Sequence, residues 1–347
     1  MINAIITKIE TQTESRCPRA AIKDVAKLAG VSVAAVSKYL KTPDNMREET
    51  RRRIAQAIRE LNYRPNPFAQ SLRTGKTNII AIAIPEVDNP YFSKMFKLLQ
   101  AYCEDRGLLA MLLKNSNAEQ AKNAASILKS GLVDGVICYD EGQADTFIME
   151  LEVSVPVVKV GPVTDSDYVA TVGIDLRTGI EKLCAHLEEN GVRRLGYIGP
   201  DSDVSSRQKI GAIKNYCDHS EMYLDPKAFL TDCHTYSGGF DCCQKLLDSG
   251  VELPDAIIVE SDMIALGVLK SLVRRGIDVP ENILLSGYDN TDISIMSNPS
   301  LTSVHIPLEE ICLAALNMLW AMMQGESVSP VTFHTDLEIR TSTMPPK

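Results

Sequence analysis

The sequence predicts an all-α helix-turn-helix head joined to an α/β core of two doubly wound lobes. Three observations predict it. Residues 22–61 carry helix-period apolar faces broken by one glycine; residues 64–76 hold two prolines and a short helix-capable run; and from residue 78 short apolar runs alternate with longer amphipathic ones. A chain of 347 residues, 45% hydrophobic and 23% charged, has ample length for a large core and ordinary globular composition.

The head comes first. Residues 1–20 show no sustained period and are expected to form a loose extension. In the stretch IKDVAKLAG, Ile22, Val25, Ala26 and Ala29 share one helical face, and Gly30 supplies the freedom a tight turn requires. Ser32 is placed to cap a second helix, in which Val36 and Leu40 point inward. A third helix, about Glu48 to Leu61, turns Ile54, Ile58 and Leu61 to its apolar side and opens on three consecutive arginines, 51 to 53. The head is therefore assigned to residues 21–64.

A helix, a glycine turn and a second capped helix form a unit whose second helix enters the DNA major groove N-terminus first. Val33 and Ala34 then stand where side chains first meet base edges and suit thymine methyls, while Lys38, one turn on, can donate to guanine acceptors. The alternative is an αα-hairpin used only for packing. Charge argues against it. Residues 1–76 hold 15 Lys plus Arg against 7 Asp plus Glu, a net of +8, whereas the rest holds 21 against 38, a net of −17. A basic head on an acidic body is expected when only the head meets a polyanion.

Residues 65–77 read as a linker: Pro65 and Pro67 interrupt helix, and the run Phe68 to Lys76 is too short to be a stable helix alone. Beyond it, IIAIAI (79–84), LLAMLL (108–113), GVICY (135–139), VPVVKV (155–160), LGYIG (195–199), AIIVE (256–260) and ILLSGYD (283–289) read as buried parallel strands. Helical runs near 91–106, 118–130, 176–190, 205–219 and 262–275 separate most of them. Such a length exceeds one sheet, so two lobes are expected, about 78–175 plus 305–330 and about 176–304 plus 331–347. Ligands of such sheets bind outside the carboxyl ends of the strands.

Several function classes are disfavoured. No apolar run reaches the roughly 18 residues that span a bilayer, and the N-terminus lacks the basic and apolar regions of a secretory signal. A cytoplasmic location is expected. Nine scattered cysteines, Cys242 and Cys243 adjacent, fit reduced thiols better than a disulfide framework, and no Cys/His clustering at zinc spacing appears. Neither a metal nor a cofactor is expected. The absence of G-x-G-x-x-G, G-x-S-x-G and Walker motifs disfavours an enzyme, and a transport component would lack use for the basic head.

The runs IKDVAKLAGVSVAAVSKYLK and REETRRRIAQAIRELNYRPNPFAQSLRTGKTNIIAIAIPEVDNPYF resemble the lactose-repressor (LacI/GalR) family of bacterial transcription regulators, with the likeness extending from residue 21 to the end. The resemblance implies a DNA-binding head, a hinge helix, and a dimeric core resembling sugar-binding proteins that takes a small effector. It places Val33 and Ala34 at positions setting operator preference, and Ser32, Ser37, Arg47, Thr50 and Asn66 at phosphate-contacting or positioning sites. Ala69 falls among the DNA-contacting hinge positions. Leu72 matches the hinge leucine that wedges into the minor groove, where unstacking a base step is offset by contacts the bent duplex allows.

Departures are present. Lys38 stands where Arg is commoner, which reduces a two-pronged guanine contact to a single one. Ala21 and Ala35 each lack a hydroxyl, which predicts weaker phosphate binding.

For the body, the resemblance implies effector contacts at Tyr91 and Phe92, for which a buried helix-start pair is the competing reading. It implies another at Asp289, whose carboxylate suits sugar hydroxyls. Asp262 matches a family Asp but reads as a helix cap, with Ser261 beside it a candidate contact. Arg207 resembles a ligand-binding Arg, although its spacing to Gly211 is one residue too long, so that Gln208 is the alternative. His234 falls near a position that is often aromatic. Gly161-Pro162 replaces a usual Asp-Arg, which removes one polar contact. The expected function is a transcription regulator, most simply a repressor of carbohydrate uptake or catabolism, acting as a homodimer on near-palindromic operator DNA. A nucleobase, a sugar phosphate or a protein corepressor remains an alternative controlling partner.

Overall fold

A computed structural model describes residues 20–65, 75–115, 118–129, 131–139, 155–163 and 170–344. Its contacts divide the chain between Thr77 and Asn78 into two units.

The first unit contains α1 (Ile22–Ala29), α2 (Val33–Lys41) and α3 (Glu48–Glu60). Val25, Ala26, Ala29, Val36, Ile54 and Ala57 are buried in its small core, with Ile22, Leu40, Ile58 and Leu61 packed around them. Gly30 takes φ 62° in the left-handed region, ending α1 as the sequence predicted. Ser32 Oγ accepts from the Ala35 amide at 3.2 Å. Ala21 has no oxygen to offer α1, but Asp24 Oδ2 accepts the Ala21 amide at 2.8 Å and keeps half of a capping box.

Arg53 on α3 is a tie that the sequence did not announce. Its Nη2 donates to the Ala29 carbonyl and, at 2.9 Å, to that of Gly30, which satisfies carbonyls left over at the end of α1. Arg53→Ala is expected to loosen the turn by about 1–2 kcal/mol. Hydrogen exchange in the intact chain should show α1 and α2 amides losing about 5- to 30-fold of their protection; unchanged protection would mean the guanidinium does not hold the turn.

The second unit holds two six-stranded sheets, ordered β11-β5-β4-β3-β1-β2 and β12-β10-β9-β8-β6-β7. The first comprises β1 (Ile79–Ile84), β2 (Leu109–Lys114), β3 (Gly135–Tyr139), β4 (Val157–Pro162), β5 (Ala170–Asp175) and β11 (Val331–His334). The second comprises β6 (Arg194–Ile198), β7 (Tyr223–Leu230), β8 (Ala256–Val259), β9 (Leu284–Asp289), β10 (Thr302–His305) and β12 (Asp336–Glu338). All pairings are parallel except that of β12 with β10. The intervening helices are α4 (Pro90–Glu104), α5 (Ala118–Lys129), α6 (Leu176–Glu189), α7 (Val204–Cys217), α8 (Tyr236–Asp248), α9 (Asp262–Arg274), α10 (Asp292–Met296) and α11 (Leu308–Met323).

The chain crosses between the sheets after β5, after β10 and at Thr335. Thr335 is buried at the last crossing: its hydroxyl donates to the Asp175 carbonyl at 2.8 Å and accepts from the Gly179 amide at 2.9 Å.

Three expectations are corrected. Residues 331–334 were assigned to the second lobe, yet Val331 to His334 pair in parallel with Val172 to Asp175 in the first sheet, and only β12 joins the second. LLAMLL was read as buried, but β2 is an edge strand and leaves Leu109 62% exposed. The cysteines are not all reduced thiols: Cys233 and Cys242 are joined, with Cα atoms 6.7 Å apart, because the turn opening α8 folds residue 233 back on that helix. The other cysteines among the described residues are free and mostly buried.

Candidate functional site

The start of α2 is exposed on the surface of the head. Val33 is 45% exposed although apolar, and Ala34 and Lys38 are exposed with it, while Val36 between them is buried. One face thus packs and the other is offered outward, as a groove-reading helix requires. Arg47 is exposed at the start of α3; Ser37 and Thr50 are half-buried. Asn66, Ala69 and Leu72 lie outside the described residues.

In the second unit, a cavity of about 350 Å³ opens at the carboxyl ends of both sheets. The structure brings Tyr91, Phe92, His234, Ser261 and Asp289 to its lining. Pro90 opens α4 behind Asn89, whose side chain accepts the Tyr91 amide at 3.0 Å, so the aromatic pair starts the helix directly beyond β1. Tyr91 and Phe92 are both buried and meet Tyr139 edge-on, with ring centroids 5.9 and 4.9 Å away, so they serve at once as core and as cavity wall. The buried helix-start pair is what the geometry shows, and the same two rings border the cavity.

Asp289 takes φ 94° and Asn290 φ 49°, two successive residues in the left-handed region at the end of β9. Such backbone needs support. Asn290 supplies it through its amide to Ser303 Oγ at 3.0 Å and its side chain to His305 at 2.9 Å and to Arg340. The sequence Asp-Asn suits this conformation because both types tolerate it better than most.

Asp262 turns away from the cavity. Its Oδ2 accepts the Thr291 amide at 2.6 Å and hydroxyl at 2.9 Å, and its Oδ1 accepts Ser303 Oγ at 2.6 Å. Burial pushes its carboxyl up to about 6, opposed by those hydrogen bonds. Asp262 is thus held by Thr291 and Ser303 and is not the helix cap that the sequence suggests; Ser261 takes that role. Ser261 caps α9 through the Ile264 amide at 3.4 Å.

Arg207 is corrected. It is exposed, donates to the Ser202 carbonyl and does not line the cavity. Gln208, the alternative, donates to the Val163 carbonyl at 2.8 Å and is also outside the lining. Lys209 is the cation of α7 that reaches it. Its Nζ lies 2.6 Å from Glu260 Oε1 and 3.7 Å from the centroid of the Tyr288 ring. Burial opposes the charge on Lys209, but Glu260, with Asp289 and Asp203 behind it, outweighs burial and holds the ammonium above the ordinary lysine range. Tyr197 Oη stands 2.8 Å from Glu260 Oε2.

Counting back from Gly211 had pointed to Arg207 or Gln208; on a helix, the residue two positions back faces differently from both. Glu260 had a readable signal, since it directly follows strand AIIV at the end where ligands bind. Among the described residues no group of three or more His, Cys, Asp or Glu could hold a metal, and no helix is long and apolar enough to cross a membrane.

Comparison with known proteins agrees with this geometry. Residues 21–66 match the model for bacterial regulatory proteins of the lacI family, and residues 184–343 match a periplasmic binding protein-like domain. Catabolite control protein A of Staphylococcus epidermidis is 30% identical over 311 residues, covering 88% of this chain and 93% of that relative. A solved transcriptional regulator CelR–cellobiose complex is 26% identical, with TM-score 0.69 over 93% of this chain and 100% of that one. The lac repressor dimer bound to operator and the anti-inducer ONPF, 24% identical, shares the fold with TM-score 0.82 over 94% of this chain and 99% of its own. A helix offered for a DNA groove, two sheets closing on one cavity and a relative aligned along nearly the whole chain agree: the chain belongs to the lacI family of bacterial regulatory proteins and is a sequence-specific DNA-binding transcription regulator.

Proposed function

We propose that the protein is a cytoplasmic repressor of carbohydrate uptake or catabolism genes, not an enzyme, and that a sugar-like effector in the cavity sets its operator affinity. The observation that carries this reading is the lining itself: the Tyr91, Phe92 and Tyr139 rings and the carboxylates of Asp289 and Glu86 border one cavity of about 350 Å³. Aromatic faces cover the apolar side of a pyranose, and carboxylates accept its hydroxyls. A cellobiose complex of one relative and an operator complex of another support both halves of the proposal.

One α2 reads one half-site, so a twofold dimer on a near-palindrome is the working unit. The effector shifts operator affinity only by its differential affinity for the two arrangements of the dimer, on the order of 1–3 kcal/mol. Val33 and Ala34 would set base preference, and Ser32, Ser37, Arg47, Thr50 and Asn66 would hold phosphates. Tyr91, Phe92, His234, Ser261 and Asp289 would contact the effector, and Arg207 would not.

The hinge provides the test. Leu72→Ala is expected to lower operator affinity by about 10- to 100-fold, since each base step opened without its wedge forfeits a few kcal/mol of compensating contact, and to leave sugar binding unchanged. Fluorescence anisotropy on operator DNA and calorimetry with sugars read the two separately. Equal operator affinity for both proteins would remove Leu72 from the interface.

A further inference from the structure

The cavity contains a cation that is fully engaged by the protein, and this bears on the charge of what it accepts. Lys209 has three N–H donors. They face Glu260 Oε1 at 2.6 Å, the Glu260 carbonyl at 3.4 Å and the Tyr288 ring at 3.7 Å. Lys209 and Glu260 are 5% and 8% exposed, so water does not substitute for these partners.

His234 is the other basic residue on the described lining, and it is exposed. Against this stand carboxylates at Glu86, Asp203 and Asp289. Asp203 is committed to Ser206, whose amide and hydroxyl it accepts at 2.8 and 2.6 Å. Among the described lining residues, an arriving phosphate would meet these carboxylates and no ammonium proton directed at it.

We infer that the buried Lys209–Glu260 pair sets the charge selectivity of the cavity, admitting an uncharged polyol and rejecting its phosphorylated form. This rests on the reading of the cavity as an effector site and names the class of effector. The pair thereby separates two of the alternatives that the sequence leaves open, sugar and sugar phosphate. Replacing Glu260 by Gln keeps the size and a hydrogen-bond acceptor but removes the charge that neutralises Lys209, so the variant should acquire an anion site.

The test is calorimetry with matched pairs of a sugar and its 6-phosphate, and with inorganic phosphate, on the full-length dimer. Wild type should bind some sugars at least 10-fold more tightly than their phosphates and should not bind inorganic phosphate. Glu260→Gln should gain at least 10-fold in affinity for inorganic phosphate, and adding Lys209→Met should abolish that gain. Wild type binding phosphates as tightly as sugars would overturn the inference, as would Glu260→Gln gaining nothing. Should Glu260→Gln not fold, the wild-type pairs still decide. Operator titrations of the same samples keep the regulator reading separate: operator binding with no charge preference in the cavity would sink only the selectivity.

Discussion

Lys209→Ala is expected to destabilise the two-sheet unit by about 3–5 kcal/mol, the usual cost of removing one partner from a buried ion pair. Glu260, 8% exposed beside the intact lysine, would keep only the Tyr197 hydroxyl at 2.8 Å in place of an ammonium at 2.6 Å. Replacing both members, Lys209→Met with Glu260→Leu, should recover most of that loss, because apolar residues of similar size carry no desolvation penalty. Urea unfolding followed on the two-sheet unit measures both. A single substitution costing less than 1 kcal/mol would show that the carboxylate is not held in a dry site.

Gly267→Ala is expected to cost as much through a different mechanism. α8 and α9 cross where Gly267 faces α8 and Gly239 faces α9. A Cβ at Gly267 would lie 2.0 Å from the Tyr236 carbonyl and 2.9 Å from the Phe240 amide; one at Gly239 would lie 2.4 Å from the Ile264 carbonyl. These obstacles are backbone atoms that cannot rotate away, so the helices must separate. The loss should equal or exceed the 1–3 kcal/mol typical of overpacking. Because Thr235, the cap of α8, and His234 beside it line the cavity, sugar binding should weaken along with stability. Gly211→Ala is the control: nothing lies within 4 Å of its added methyl, and the substitution should stabilise α7 by up to about 1 kcal/mol. Thermal unfolding of the two variants side by side would expose a wrong crossing if both behaved alike.

The parts of the fold readable from the sequence are those with a strong period and no competing signal. IIAIAI and GVICY became β1 and β3 with their predicted bounds, since runs of β-branched and apolar residues buried on both faces have few other uses. ATVGID and YLDPKAFL were passed over. The first is interrupted by Gly173, and the second carries Asp225 and Pro226, tolerated because β7 is an edge strand with a register shift. Residues 331–334 were placed in the wrong sheet because composition does not record which strand a short segment pairs with.

The candidate site was partly legible. Tyr91, Phe92, Ser261 and Asp289 follow strand ends, which is where the rule for such sheets directs attention. Lys209 escapes a reading of the sequence because the count back from Gly211 stops at Arg207 or Gln208. Its burial depends on Glu260, some fifty residues away, and Tyr288, and no local pattern records that meeting. In the head, Val33 stands out only once Val36 is known to be buried, because that burial identifies which face of α2 is left outward.

The central claim is that the exposed face of α2, on a basic head, reads duplex DNA. Its most direct test is selection of binding sites from random duplex by the full-length protein, followed by anisotropy titration of the selected site against scrambled competitor at several salt concentrations. The account predicts a near-palindromic site bound at least about 10³-fold more tightly than competitor, with log K falling by about 0.9 per unit of log salt for each phosphate neutralised. No enriched sequence, with or without sugars present, would contradict it.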